Sequence, residues 1–283
     1  MLTNNQLMHK YYEEFDILNI PRETIRLFLL ELCNEKNYNL YLNLDNEADS
    51  EILEKFEAGI ERIKKYEPMN YVLGYTWFYG YKIMVTDDVL IPRYETEELV
   101  SKILVHMDEM YQDYKTISVV DIGTGSGAIA ISLAKEEERI RMSASDISAE
   151  AVEVAKKNAE LNKIDIKFYV GNMVDPIIED NKKVDVLICN PPYIPSDEVL
   201  EQSVVGYEPH LALFGGEDGL KYYREVFSNA KKVLNKNGLM AFEIGWNQKE
   251  TLLAEVKKYL PDAEAEVLKD INKKDRMLFV KVK

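Results

Sequence analysis

The first 69 residues place apolar side chains at the spacing of α-helices. The repeat is clearest between residues 50 and 66, where it consists of Ile52, Leu53, Phe56, Ile60 and Ile63. Ser50 is the expected N-cap of this helix, and Pro68 follows its expected end. Pro21 is expected in the first turn of an earlier helix, where its missing N–H costs little. The pattern predicts a small helical bundle over residues 1–69.

Residues 70–92 follow a different pattern. Aromatic and β-branched side chains predominate over residues 71–85, and Asp87 and Asp88 then signal a turn. We predict a pair of β-strands here that links two domains. A helix is predicted between residues 95 and 115, with its apolar face formed by Leu99, Ile103, Leu104 and Met107.

From residue 116 onward, strand-like apolar runs alternate with helical patterns. The predicted strands are 116–121, 140–146, 166–170, 184–189, 238–244, 265–269 and 276–282. The predicted helices are 127–136, 148–162, 218–235 and 247–260. Such alternation builds a mostly parallel sheet with helices on both faces. The predicted fold class is α/β, a seven-stranded Rossmann-like sheet. The short polar stretch 270–275 joins the last two strands and predicts one antiparallel strand, at an edge of the sheet.

Composition narrows the class of partner. The formal net charge is −15, whereas a protein that binds through phosphate contacts normally shows a basic face. A protein or a small molecule is therefore a better expected substrate than naked nucleic acid. No apolar run reaches the roughly 18 residues of a membrane helix, and the first 12 residues lack a signal-peptide core. Cys33 and Cys189 are distant and lack metal-ligand spacing, which indicates a reduced, cytoplasmic protein.

A glycine-rich loop follows the first strand of the alternation. It reads Asp121-Ile122-Gly123-Thr124-Gly125-Ser126-Gly127, and its glycines let the backbone approach a ligand closely. Its spacing is G-x-G-x-G rather than the G-x-G-x-x-G of dinucleotide-binding proteins, and no Walker lysine follows, which excludes a P-loop. Asp121 would repel a phosphate and attract a cationic group. The loop therefore suits a nucleoside with a positively charged tail.

Two further strand ends carry side chains suited to a nucleoside. Asp146 ends the second strand and can accept both hydroxyls of a ribose. Asn172 and Met173 follow the third strand, where they can read an adenine edge and cover its face. Each feature alone has a local explanation as a turn, a helix cap or a core residue. Together they favour a ligand site, because open α/β sheets bind ligands at the carboxyl ends of their strands.

The next strand ends at Asn190-Pro191-Pro192-Tyr193. The Asn190 side-chain oxygen and the Pro191 carbonyl can each accept a hydrogen bond from a planar –NH2 group. Pro192 keeps that carbonyl available, because it has no N–H and holds the preceding residue extended. The Tyr193 ring can stack on the target plane or lie near a cationic methyl donor. The four residues suit the clamping of an amino or amide nitrogen while it is attacked or alkylated.

These residues and several other segments resemble one family over nearly the whole chain. The segments are Tyr71-Val-Leu-Gly74 with Phe78 and Gly80, Leu90-Ile-Pro-Arg-Tyr-Glu-Thr-Glu-Glu98, the glycine loop, Asn190-Pro-Pro-Tyr-Ile194, Tyr207-Glu-Pro209, Leu211-Ala-Leu213, Gly215-Gly-Glu-Asp-Gly219 and Glu243-Ile-Gly245. The chain is similar to the HemK/PrmC family, S-adenosylmethionine-dependent methyltransferases of the N-P-P-Y type that modify a glutamine of peptide chain release factors. Residues 91–97 are the most specific segment, since N-P-P-Y also occurs in adenine and cytosine amino-methyltransferases.

The resemblance implies a domain organisation and a cofactor. Residues 1–69 would dock the substrate, residues 70–92 would form a hairpin linker, and residues 93–283 would form the methyltransferase domain. S-adenosylmethionine would bind there and leave as S-adenosylhomocysteine. Its site would comprise Asp121, Gly123, Thr124, Gly125, Ser126, Gly127, Asp146, Ile147, Asn172, Met173 and Asn190. The sequence departs from the family pattern at Tyr94, where proline is usual, and at Asn172 and Met173, where an acidic and a bulkier apolar residue are common.

The resemblance also implies the substrate, the glutamine of the Gly-Gly-Gln motif in a class I release factor. The catalytic residues would be Asn190, Pro191, Pro192 and Tyr193. Phe78 and Arg93 would line the glutamine pocket with them, although core packing for Phe78 and a surface ion pair for Arg93 and Glu97 are equal alternatives. Glu243 is expected to be a structural hydrogen-bond acceptor, and His210 a loop residue rather than a catalyst.

Other functions stay open at this point. A sister family methylates a glutamine of a ribosomal protein. A nucleic-acid adenine methyltransferase would share N-P-P-Y but would need a basic groove and a base-flipping pocket. A binding module that had kept the fold would not depend on Asn190 for its biology. We expect a monomeric, cytoplasmic enzyme that acts on release factors and on no nucleic acid or membrane directly.

Overall fold

The computed structural model describes residues 2–198 and 206–283, which form two compact units. Of the described residues, 2–74 together with 206 and 207 belong to the first unit, and 75–198 together with 208–283 belong to the second. No helix in these ranges is long and apolar enough to cross a membrane. The same ranges contain no group of three or more His, Cys, Asp and Glu side chains arranged to hold a metal ion.

The first unit is helical, as predicted. Its helices are α1 (Asn4–His9), α2 (Tyr12–Ile17), α3 (Glu23–Glu35), α4 (Ser50–Ile63) and α5 (Met69–Leu73), with a 3₁₀ turn at Tyr41–Asn43. Helix α4 buries the predicted apolar face except for Leu53, which is half-buried, and its Phe56 ring stacks on Phe28 of α3 with 5.7 Å between centroids. Gly59 allows this approach, because a Cβ at residue 59 would overlap the Phe28 ring. The bundle therefore has its own apolar core.

The N-cap of α4 differs from the prediction. Asp49 rather than Ser50 caps the helix, and its carboxylate accepts hydrogen bonds from the backbone N–H groups of Glu51 at 3.0 Å and Ile52 at 3.1 Å. Ser50 is the first helical residue. A carboxylate at the N-cap satisfies donors that have no partner within the helix.

The predicted strand pair begins later than expected. Residues 71–73 belong to α5, which starts after Pro68 and ends at Gly74 in the left-handed conformation, with φ of 79°. The strand prediction was wrong there because this proline and this glycine delimit a helical turn. The hairpin consists of β1 (Tyr75–Phe78) and β2 (Tyr81–Met84), which pair antiparallel within the second unit.

The second unit contains a seven-stranded sheet. Its strands are β3 (Ile117–Ile122), β4 (Ile140–Asp146), β5 (Lys167–Val170), β6 (Val184–Cys189), β7 (Leu234–Glu243), β8 (Glu264–Lys269) and β9 (Asp275–Val282). Its described helices are α6 (Tyr94–Met110), α7 (Ala128–Glu136), α8 (Ala149–Leu161), α9 (Asp175–Glu179), α10 (Lys221–Val233) and α11 (Lys249–Tyr259), with a 3₁₀ turn at His210–Ala212. The strand order is β5-β4-β3-β6-β7-β9-β8, parallel from β5 to β7. The seven-stranded α/β prediction is confirmed.

Both faces of this sheet are covered. Along β6, Val186 and Ile188 belong to one apolar cluster, whereas Leu187 and Cys189 belong to another. Alternating side chains of one strand point to opposite faces of its sheet. The two clusters therefore lie on opposite faces, which explains why β6 reads as a continuous apolar run.

The prediction that the antiparallel strand lies at an edge of the sheet was wrong. Strand β9 lies between β7 and β8 and runs antiparallel to both, so that β8 is the edge strand. Residues 277–280 of β9 are all buried, whereas residues 264–269 of β8 are exposed or half-buried. The more apolar strand takes the inner position because burial of both its faces is favourable.

One other boundary and one short helix differ from the prediction. Strand β7 begins at Leu234 rather than at Gly238. Leu234 pairs with Val184 and Leu239 pairs with Val186, so the register against β6 shifts between these two pairs. Asn237, with φ of 60°, lies within this irregular stretch. Helix α9 was not predicted, since a single turn of five residues gives almost no periodic signal.

Candidate active site

Four neighbouring strand ends form one row. The pairing of β4, β3, β6 and β7 aligns Ser145 with Ile122, Ile122 with Cys189, and Cys189 with Phe242. The residues that follow are Asp146, Gly123, Asn190 and Glu243. The chain leaves β3 towards β4 on one side and later returns to its other side as β6. Such a switch point opens a crevice at the carboxyl ends of parallel strands, so the row marks the candidate site.

The glycine loop is shaped for a ligand. Gly123 and Gly125 have φ of 69° and 54°, and a Cβ at either residue would meet nothing within 4 Å. The backbone N–H groups of Gly123 and Thr124 donate to the Ser145 carbonyl at 2.8 Å and 3.0 Å, which fixes the loop to β4. Gly127, also at positive φ, faces Ala155 of α8 closely. The loop is therefore held at its base and open on its outer side.

Asp146 stands beside this loop. Its carboxylate accepts hydrogen bonds from the backbone N–H of Gly125 at 2.9 Å and of Ser148 at 3.0 Å. Burial raises the pKa of Asp146, against these hydrogen bonds. The two carboxylate oxygens have about four lone-pair sites, so the carboxylate can still accept from a ligand hydroxyl. Ile147, the next residue, is an apolar side chain with 56% of its surface exposed.

Asn172 and Met173 lie near the end of the neighbouring strand β5. The Asn172 amide donates to the Glu225 carboxylate of α10. Met173 is 9% exposed with φ of 42°, and its carbonyl accepts from the Ser145 hydroxyl at 3.3 Å. Their contacts with an adenine ring stay a prediction.

Asp121 is a buried carboxyl at the end of β3 with an unpaired oxygen. Its Oδ2 accepts from the Thr124 hydroxyl at 2.6 Å, whereas its Oδ1 has no hydrogen-bond partner among the described residues. Burial raises the pKa of Asp121 to about 7, opposed by the Thr124 hydrogen bond and assisted by the charge of Asp146. A buried oxygen without a partner is costly, so a donor or a cation bound at this point would relieve it.

Asn190 extends the row on the other side of the loop. Its side-chain nitrogen lies 3.5 Å from the hydroxyl oxygen of Thr96 on α6. The Thr96 hydroxyl donates to Oε2 of Glu243 at 2.6 Å in a fully buried contact. Within the described residues, neither the Asn190 side-chain oxygen nor the Pro191 carbonyl accepts a hydrogen bond. Both acceptors are thus available to a substrate –NH2 group.

Both the hydroxyl and the backbone carbonyl of Tyr193 are hydrogen-bonded. Its hydroxyl donates to Glu243 Oε1 at 3.4 Å, and its carbonyl accepts from the Gln248 amide at 3.1 Å. Burial raises the pKa of Tyr193 to about 12, with a smaller contribution from the charge of Glu243. The ring is therefore a neutral, half-buried wall of the site.

A glycine-rich segment supports the backbone after Tyr193. The N–H of Ile194 donates to the Leu213 carbonyl at 3.1 Å, and the N–H of Gly215 donates back to the Ile194 carbonyl at 2.8 Å. A Cβ at Gly215 would overlap the Pro192 carbonyl oxygen, and one at Gly219 would overlap that of Tyr193. Only glycine fits at these two positions, which explains the Gly215-Gly-Glu-Asp-Gly219 segment.

The predicted pocket residues take different positions. Phe78 is 1% exposed and packs in an apolar cluster of the second unit. Arg93 pairs through one nitrogen with both oxygens of the buried Glu208, at 2.6 Å and 2.7 Å. Glu97 accepts a hydrogen bond from the Tyr79 N–H at 2.8 Å and so holds the hairpin to α6. Contact of Phe78 or Arg93 with a substrate stays a prediction.

Sequence reasoning missed several residues that hold the site together. The sequence identifies Thr96 only as a member of the 91–97 segment and gives no signal for Gln248 or for Tyr223. The Tyr223 hydroxyl donates to the Glu243 carbonyl at 2.7 Å. Each acts across a long separation along the chain. A possible signal for Thr96 was its place inside that most family-specific segment.

Comparison with known proteins agrees with this architecture. Residues 98–205 match the family described as Methyltransferase small domain, and residues 11–74 match the PrmC N-terminal domain. The methyltransferase from Pyrococcus furiosus has a similar fold, with a TM-score of 0.51 at 18% identity over 80% of this chain and 96% of that one.

Relatives of known name align over nearly their whole length. The chain is 40% identical to the release factor glutamine methyltransferase of Bacillus subtilis over 254 residues, which are 89% of this chain and 88% of the relative. It is 35% identical to the protein of the same name in Streptococcus pneumoniae, over 97% of each chain. With this similarity and both domain families matched, the chain belongs to the HemK/PrmC family of S-adenosylmethionine-dependent release factor glutamine methyltransferases.

Proposed function

We propose that this enzyme transfers the methyl group of S-adenosylmethionine to the side-chain amide nitrogen of the glutamine in the Gly-Gly-Gln motif of class I release factors. The observation that carries the proposal is the row of strand ends, where two available acceptors, on Asn190 and Pro191, stand beside an open glycine loop. The names of the relatives in Bacillus subtilis and Streptococcus pneumoniae supply the substrate.

The residues of the loop fit S-adenosylmethionine. The open space beside Gly123 and Gly125 accommodates a ligand at the backbone. The unpaired Asp121 Oδ1 suits a hydrogen-bond donor, which an ammonium group supplies. Asp146 offers acceptors to ribose hydroxyls, and the exposed Ile147 offers an apolar surface to a base. When bound, the cofactor supplies an electrophilic methyl group on a positively charged sulfur.

The enzyme must make an amide nitrogen react, although its lone pair is delocalised into the neighbouring carbonyl. Asn190 Oδ1 and the Pro191 carbonyl can accept its two N–H groups and so fix the direction of the nitrogen. Such positioning contributes roughly several kcal/mol. Positive charge that builds on the nitrogen strengthens both hydrogen bonds, so they stabilise the transition state more than the bound substrate.

The proton leaves after the methyl group has been transferred. An N-methylated, cationic amide is a strong acid and can lose its proton to water, so the residues of the site need not include a strong base. The nearest carboxylate in the network, Glu243, is held by the Thr96 and Tyr193 hydroxyls. Its place in this network suits a structural acceptor, the role expected from the sequence.

The charges around Tyr193 disfavour a nucleic-acid substrate. Arg93 is the N-cap residue of α6, the helix that carries Thr96, and the Arg276 guanidinium donates to the carbonyl of Ile244, next to Glu243, at 3.5 Å. Each is already paired, Arg93 with Glu208 at 2.6 Å and Arg276 with Asp270 at 3.3 Å. Arginines neutralised in this way add little attraction for a phosphate backbone.

A transfer assay tests the proposal. The purified enzyme is incubated with S-adenosylmethionine labelled in its methyl group and with the class I release factor of Bacillus subtilis. We expect one methyl group per wild-type factor and none on a factor whose Gly-Gly-Gln glutamine is replaced by alanine. Ribosomal proteins and duplex DNA are offered in parallel. Label on either of these and none on the release factor, while calorimetry shows cofactor binding, would contradict the proposal.

We further propose that the helical first unit docks the release factor and that the enzyme works as a cytoplasmic monomer. The match of residues 11–74 to the PrmC N-terminal domain supports a family-specific role for this unit. A peptide carrying only the Gly-Gly-Gln loop should then have a higher KM than the whole factor. Equal KM values for peptide and factor would argue against docking, and sedimentation of the enzyme as a dimer would exclude the monomer.

A further inference from the structure

Three side chains from three distant elements form a chain of hydrogen bonds. The chain ends at Asn190, which with the Pro191 carbonyl forms the amide clamp, the pair of acceptors proposed for the substrate amide. Asn190 follows β6, Thr96 lies in the first turn of α6, and Glu243 ends β7. The Asn190 nitrogen is 3.5 Å from Thr96 Oγ1, and the Thr96 hydroxyl is 2.6 Å from Glu243 Oε2. Thr96 is 4% exposed and Glu243 is 3% exposed, so solvent does not compete for the contact between them, whereas Asn190 is half-buried.

The chemistry of the groups fixes the direction of this chain. An ionised carboxylate only accepts hydrogen bonds, so the Thr96 hydroxyl must donate its single proton to Glu243. The Thr96 oxygen can then only accept from Asn190, which must present its –NH2 group. The oxygen of the Asn190 amide is left pointing away from Thr96. The two ends of an amide are otherwise nearly equivalent in shape, and the carboxylate removes that ambiguity.

We propose that Thr96 and Glu243 are positioning residues that orient the Asn190 amide, so that its oxygen and not its nitrogen faces the substrate glutamine. The proposal rests on the proposed function, because the orientation matters only if Asn190 accepts a substrate N–H. With the amide reversed, two –NH2 groups would face each other and the acceptor would be lost. The long 3.5 Å contact fits this role, since hydrogen bonds of a catalytic site often tighten only with the substrate bound.

The rest of the network holds Glu243 still. Its other carboxylate oxygen accepts from the Tyr193 hydroxyl at 3.4 Å, and its backbone carbonyl accepts from the Tyr223 hydroxyl at 2.7 Å. Tyr223 is completely buried on α10. Glu243 therefore joins the strand end, the tyrosine of the clamp and the asparagine of the clamp in one rigid unit.

The protonation state of Glu243 adds an independent readout. Burial raises the pKa of Glu243, while the Thr96 hydrogen bond, the charge of Arg276 on β9 and the Tyr193 hydroxyl lower it and Glu95 on α6 raises it. A protonated Glu243 can donate to Thr96 instead of accepting from it. The direction of the chain then becomes ambiguous, and turnover should fall as the pH drops.

Substitutions at Thr96 test the proposal directly. Thr96→Val keeps the shape and removes the hydroxyl, and it should lower kcat for release factor methylation about 10- to 100-fold, because a misplaced catalytic group costs a factor of this size. The melting temperature should fall by roughly a few degrees, because the buried Glu243 loses one donor, and the Kd for S-adenosylmethionine should stay at the wild-type value. Thr96→Ser restores the hydroxyl and should recover most of the lost kcat. Ser132→Ala is the matched control, since its buried hydroxyl donates only to the Ala128 carbonyl of its own helix.

The outcomes are distinguishable. Wild-type kcat in Thr96→Val, or a Thr96→Ser variant as slow as Thr96→Val, would overturn the positioning role while the proposed function stands. A wild-type enzyme that does not methylate release factor would overturn the proposed function and this inference with it. Should Thr96→Val fail to fold, Glu243→Gln decides. It should lose the acidic limb of the kcat profile, and an unchanged limb would overturn the inference.

Discussion

The two halves of the proposed active site, one for the cofactor and one for the substrate amide, are built in different ways. The cofactor half, the glycine loop with Asp121 and Asp146, is joined by contacts between residues 3 positions apart (Thr124 and Asp121) and 21 positions apart (Gly125 and Asp146). The amide half, Asn190 with Thr96 and Glu243, joins residues 94 and 147 positions apart. A ligand pocket can be formed by one loop and the end of the neighbouring strand. A clamp that must hold one amide in one orientation needs support from distant elements.

The largest expected effect removes the clamp itself. Asn190→Ala should lower kcat for release factor methylation about 100- to 1,000-fold, the cost of losing one stabilising group in a preorganised site. The Kd for S-adenosylmethionine should change far less, because the glycine loop and Asp146 are untouched. Steady-state kinetics and calorimetry measure the two quantities. Asn229→Ala is the control, since the Asn229 amide bonds to Glu225 of its own helix and to the adjacent Ser228. An equal loss of kcat in Asn190→Ala and Asn229→Ala would contradict the assignment of Asn190 to the amide half.

The second largest effect concerns the stability of the backbone that supports the amide half. Gly219 has φ of 71°, and a Cβ there would overlap the Tyr193 carbonyl oxygen and approach the Gln248 amide nitrogen to 2.8 Å. Gly219→Ala should lower the free energy of unfolding by about 3 kcal/mol, from the left-handed backbone and the overlap together. Gly80→Ala is the control, with φ of 80° and open space, and should cost only about 1 kcal/mol. Denaturant unfolding of both variants measures the difference. Equal losses of unfolding free energy would show that the Tyr193 carbonyl moves to make room for a Cβ at residue 219.

The same contrast explains what the sequence could predict. The glycine loop and Asp146 were predicted because each follows a strand along the chain, where motif and position are read together. The role of Thr96 was not, because it depends on which strand end faces α6, a result of folding that no local pattern encodes. Strand β9 gives a second example. Its apolar run predicted a strand, but its inner position follows from competition with β8 for burial.

The third effect is confined to the cofactor half. A Cβ at Gly125 would enter the open space beside the loop, so Gly125→Ala should raise the Kd for S-adenosylmethionine about tenfold, or roughly 1.4 kcal/mol. At saturating cofactor, kcat should stay close to the wild-type value, the reverse of the Asn190→Ala result. Calorimetry and kinetics at high cofactor concentration separate the two. A Kd unchanged from wild type would mean that the ligand does not approach this glycine.

The smallest effect compares the buried acids of the two halves. Both oxygens of Glu243 have partners, whereas Asp121 Oδ1 has none among the described residues. Burial raises the pKa of Asp121 from 3.8 to about 7. Between these values the folded protein holds a proton that the unfolded chain has lost, so this residue's contribution to stability falls as pH rises through that window and is constant above it.

Asp121→Asn removes this titration and tests the comparison. The variant should gain stability over wild type as pH rises from about 4 to about 7. The net gain near pH 7 should be only about 1 kcal/mol, because the new amide brings a donor that has no partner. This cost does not depend on pH, so the variant should be less stable than wild type near pH 4. Cofactor affinity should fall, since the negative charge that attracts a cationic group is lost. Unfolding free energies of both proteins across this pH range give the difference, and a difference independent of pH would show that Asp121 is ionised throughout. The cofactor half would then tolerate a buried charge before its ligand arrives, whereas the amide half has its buried acid satisfied by the fold itself.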